Sequence, residues 1–60
     1  MDAKEAREYL AFVDAAGAAS EIHTMVLLAY KNGGFYPDNR NVIADHIKKI
    51  QALVAQYPKE

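Results

Sequence analysis

Between Ala3 and Lys31 the chain holds no proline, and its apolar residues recur at helical spacing. Tyr9, Phe12, Ala16, Ala19, His23, Val26 and Tyr30 step by 3, 4, 3, 4, 3, 4. A second seam, Ala11, Ala15, Ala18, Ile22, Met25 and Ala29, runs beside it. Leu10, Val13, Leu27 and Leu28 add apolar surface elsewhere. A helix apolar over most of its circumference has to be surrounded by other structure. This feature sets the expected fold class as all-α, with a long first helix over about residues 3–31.

Asp2 is placed to cap that helix, with Glu5 at capping-box spacing. Gly17 is the one weak point, since an interior glycine costs about 1 kcal/mol relative to alanine. The neighbouring alanines favour a continuous helix. The alternative is a break at Gly17, with Ser20 capping a new helix from Glu21.

Asn32-Gly33-Gly34 ends the helix, because glycine takes the left-handed conformation without steric cost. Pro37 then biases Tyr36 towards an extended backbone, and Asp38, Asn39 and Asn41 are all good caps. The reading is a connection over about residues 32–40 and a second helix over about 41–57, stopped by Pro58. Its apolar stripe is Ile43, Ile47, Ile50, Val54 and Tyr57, centred on Ile47. Asp45 and Lys49 form an i,i+4 pair on its outer face. A short connection favours antiparallel neighbours, so residues 1–60 read as a single antiparallel helical hairpin.

A 60-residue chain without cysteine has no disulfide to stabilise it. The gain from burying what so small a chain can bury and the cost of ordering it come out about equal. Self-association is the expected remedy. The helix lengths say where. A shorter second helix starting opposite Tyr30 reaches only Ala15, so Tyr9, Leu10, Phe12 and Val13 protrude as an apolar patch of the kind that marks interfaces. With the small residues Ala16 and Ala19, and with His23 on the same seam, they form the expected contact of a homodimer or higher closed oligomer.

The candidates for chemistry are few. His23 reads as a core or interface histidine and His46 as a partly exposed one at the edge of the second stripe. Neither has a second histidine or a carboxylate at i+4, so no metal site is expected. Ser20, the only serine, sits among alanines with no nucleophile-elbow pattern. Asp14 and Glu21 lie two turns apart and read as a solvated stripe. No catalytic residue and no cofactor are expected.

The connection carries more than a turn needs. Phe35 is expected to fold back onto the hairpin, while Tyr36 and Arg40 face outwards with Asp38 and Asn39 as a binding site. Tyr and Arg are favoured at interface hot spots, which suggests a larger partner protein that the module inhibits or adapts. The alternative is an anionic ligand such as a nucleotide, held at the start of the second helix or at the subunit interface. Asp38 opposes such an anion, and the Gly-Gly pair lacks the rest of a P-loop.

Seven basic against eight acidic residues give a net charge of −1, which does not fit a nucleic-acid binder. The connection is also too long for a helix-turn-helix. Residues 9–30 are apolar enough to suggest a membrane span, but Asp14, Glu21 and His23 speak against it. The polar start is unlike a signal peptide. The expectation is a cytoplasmic, non-enzymatic interaction module.

Overall fold

A computed structural model describes residues 2–59 and contains two helices, α1 (Ala3–Asn32) and α2 (Pro37–Gln56), packed against each other as a hairpin. The described residues include no strand. The molecule measures 46 × 21 × 19 Å, with a radius of gyration of 14.2 Å. A compact chain of this length would have a radius of about 10 Å, so the long first helix sets an elongated shape.

The first helix begins as the sequence predicts. Asp2 is its N-cap, and its carboxylate accepts a 2.8 Å hydrogen bond from the Glu5 backbone N–H. The helix runs unbroken through Gly17. Ser20 caps nothing there: its carbonyl accepts a hydrogen bond from the Thr24 hydroxyl one turn on. At the other end Gly33 has φ +78° and Gly34 φ +150°. Gly33 N–H donates to the Tyr30 carbonyl and Gly34 N–H to that of Ala29, the paired bonds of a Schellman motif.

The second helix starts four residues earlier than expected. Pro37 occupies its first turn rather than the connection, where its fixed φ and missing N–H cost nothing. Tyr36 is the N-cap in extended conformation, and its carbonyl accepts from the Arg40 N–H. The connection therefore shrinks to residues 33–36. Asp38, Asn39 and Arg40 belong to the first turn of α2, not to a loop. The helix ends at Gln56, ahead of Pro58.

The core is slight. Among the described residues only Ala15, Ala18 and Ala29 are buried, and no large side chain is fully enclosed. Half-buried Ala11, Ile22 and Met25 complete this seam, so the second of the two α1 seams is the one facing α2. On α2 the half-buried residues are Asn39, Val42, Ile43, His46, Ile50 and Leu53, followed by Tyr57 just past its end. His46 thus takes the inward place assigned to Ile47, while Ile47 stays 42% and Val54 67% exposed. Of the expected stripe, Ile43, Ile50 and Tyr57 face inward, while Ile47 and Val54 lie to one side of it. Helix α1 is also long and apolar enough to cross a membrane, by length and composition alone.

Candidate interaction surface

The two helices leave two open flanks of opposite character. One is polar. Lys49 Nζ lies 3.0 Å from Asp14 Oδ2, and His46 Nε2 lies 3.1 Å from Glu21 Oε2. Val13, Gly17 and Ala18 line the same flank. Asp14 and Glu21 are therefore cross-helix partners and not merely a solvated stripe. Lys49 reaches across to Asp14, not back to Asp45 as the i,i+4 spacing suggested. Sequence spacing on one helix shows local pairs; the antiparallel register that brings Lys49 to Asp14 was not visible in it.

The other flank is apolar. Phe12, Ile50, Leu53, Val54 and Tyr57 line a groove along it. The Phe12 and Tyr57 rings meet with centroids 5.1 Å apart. Tyr57 thus lies beside Phe12 rather than stopping near Ala15, because α2 starts early and is packed one turn further along α1. The overhang is correspondingly shorter, yet Tyr9, Leu10, Phe12 and Val13 all remain exposed.

These four residues do not form one patch. Leu10, Val13 and Gly17 follow helical spacing on the polar flank. Tyr9, Phe12, Ala16, Ala19 and His23 share the other seam, which continues to Val26 and Tyr30. Each residue from Phe12 to Tyr30 on it follows an inward-facing residue by one position, which places it about 100° round the helix from α2. Ala16, Ala19 and His23 are exposed like their large neighbours. Ile47 and Val54 extend the same flank onto α2.

At the turn, Phe35 keeps 46% exposure and does not plug the hairpin as expected. Tyr36 is 60% exposed and Arg40 is exposed one turn into α2, with Asp38 beside it. Asn39 is half-buried. Tyr30, 82% exposed, is the most open aromatic residue. No group of three or more His, Asp or Glu positioned for a metal ion occurs among the described residues. Comparison with protein-family models, curated proteins and solved structures finds no match to this chain.

Proposed function

We propose that the chain is a non-enzymatic interaction module: a cytoplasmic homodimer that presents its turn to a larger partner protein, which it inhibits or adapts. One observation carries the reading. Among the described residues the hairpin encloses no large side chain, while Tyr9, Phe12, Val26, Leu27 and Val54 are exposed. Its accessible area is 5037 Å², against about 3,900 Å² for a compact monomer of this mass. Large apolar side chains left exposed in this number mark an interaction site.

Asp14, ion-paired to Lys49, and Glu21, hydrogen-bonded to His46, lie near the middle of α1 and support an aqueous rather than a lipid setting for that helix. Tyr30, Phe35, Tyr36 and Arg40 supply an exposed aromatic and cationic surface at the turn, of the composition favoured in interface hot spots. Affinity capture with the tagged chain tests the partner. A stoichiometric protein other than the chain itself is expected, and Tyr36→Ala should lose it without loss of helicity. Capture unchanged by Tyr36→Ala contradicts this use of the turn. A nucleotide that raises the melting temperature, with the effect abolished by Arg40→Ala, favours the anionic-ligand reading instead.

A further inference from the structure

The geometry points to a second copy of this chain on the apolar flank, arranged so that α1 packs antiparallel against its symmetry mate about a two-fold axis that lies between the two helices at the level of Gly17 and Ala18. The inference rests on the self-association reading and adds the face, the direction and the register.

The exposed seam of α1 is symmetric about that point. Reversing the helix exchanges Tyr9 with Val26, Phe12 with His23, and Ala16 with Ala19. Heptad-like spacing offers such a centre in every half repeat; the side chains select this one. It places the two smallest pairs at the crossing, where helices approach most closely, and bulky residues against each other on either side. It also falls at the midpoint of Ala3–Asn32, so the two long helices overlap along their whole length.

Helix α2 repeats the pattern independently. Ile43 exchanges with Val54, and Ile47 with Ile50, about a point between Lys48 and Lys49. One two-fold axis serves both helices only if the two centres lie at the same level of the hairpin. They do: the Asp14–Lys49 and Glu21–His46 contacts bracket this level, and Gly17 and Ala18 share a flank with His46 and Lys49. The α1 and α2 seams lie on one side of the hairpin, as Phe12, Ile50 and Val54 in the same groove indicate. A neighbour about 100° from α2 around α1 completes a square bundle of four helices.

Area and charge favour a second copy. A compact particle of two chains exposes about 6,500 Å². Two hairpins of 5037 Å² each would therefore bury about 3,500 Å² in reaching it, within the range of obligate homodimers. A two-fold axis sets identical residues close together, so like charges near it repel. The paired positions between Tyr9 and Val26 and between Ile43 and Val54 contain no Asp, Glu, Lys or Arg; charged residues enter only beyond them, where Tyr30 meets Glu5 and Tyr57 meets Arg40.

Cysteine cross-linking reads the register, and the chain has no cysteine of its own. Tyr9→Cys and Val26→Cys chains are prepared separately, mixed, unfolded, refolded together and oxidised. The mixture should give a disulfide-linked heterodimer, while each chain alone stays unlinked, its two thiols lying about 25 Å apart at about 1.5 Å per residue. Efficient linking of Tyr9→Cys alone indicates a parallel pair and overturns the inference. A dimer by sedimentation that never forms the mixed link also overturns it, while leaving self-association standing. A folded monomer removes both. Ile43→Cys mixed with Val54→Cys gives the same test on α2 should either α1 variant fail to fold.

Discussion

Phe12 and Tyr57 meet across the open end of the hairpin, their ring centroids 5.1 Å apart and their planes inclined at 54°. No other aromatic pair lies in contact among the described residues. It fastens the end of α2 to α1 far from the covalent turn. Such pairs contribute about 0.5–1.5 kcal/mol beyond the area they bury. Tyr57→Leu, which keeps apolar bulk and removes the ring, should lower stability by about 1 kcal/mol in urea unfolding. Phe12→Leu should cost more, because Phe12 also belongs to the dimer seam. Equal and negligible effects would show that the end of α2 is not held by this contact.

The Lys49–Asp14 ion pair on the polar flank should matter little. Lys49 and Asp14 are both well exposed, and pairs of this kind contribute about 0–1 kcal/mol, less in salt. A double-mutant cycle of Lys49→Ala with Asp14→Ala should give a coupling below about 1 kcal/mol that shrinks at high ionic strength. A larger, salt-independent coupling would mean that this flank is buried in the assembly.

Gly17 offers a second check on which flank is free. A methyl group added there meets nothing within 4 Å. Gly17→Ala should therefore raise stability by about 0.5–1 kcal/mol through helix propensity alone. Dimer affinity should not change. Weaker dimerisation in this variant would place Gly17 at a helix crossing and move the interface to the polar flank.

Ile47 and Tyr36 should separate assembly from partner binding. Ile47 is 42% exposed in the single hairpin and lies in the proposed dimer seam. Ile47→Asp should dissociate the dimer, since it leaves an unpaired charge in an apolar contact, and the loss of thermal stability should depend on protein concentration. Tyr36→Ala and Arg40→Ala should change stability by less than about 1 kcal/mol. A Tyr36→Ala protein that melts as early as Ile47→Asp would make Tyr36 part of the core.

The sequence made the termini of α1 legible because their signals are local. Asp2 with Glu5 and the Gly33-Gly34 pair act within a turn of where they stand. The start of α2 is harder to read because Pro37 suits both a connection and a first helical turn, and the three potential caps after it, Asp38, Asn39 and Asn41, favour the later start. The inward face of α2 was harder still. Ile47 and His46 are adjacent, and hydrophobicity alone prefers isoleucine inside. His46 turns inward because Glu21 on the other helix accepts its hydrogen bond, a relation that depends on antiparallel register. The apolar seam of α1 was visible throughout, but which of two seams met α2 depended on packing: the one rich in Ala15, Ala18 and Ala29 permits the closer approach.

The most direct test of the central claim is sedimentation equilibrium of the intact chain at micromolar concentration, with helicity followed in the same samples. The account predicts a folded species of twice the 6.7 kDa chain mass, which loses helicity as dilution dissociates it. A chain that sediments as a 6.7 kDa monomer and keeps full helicity on dilution would contradict it.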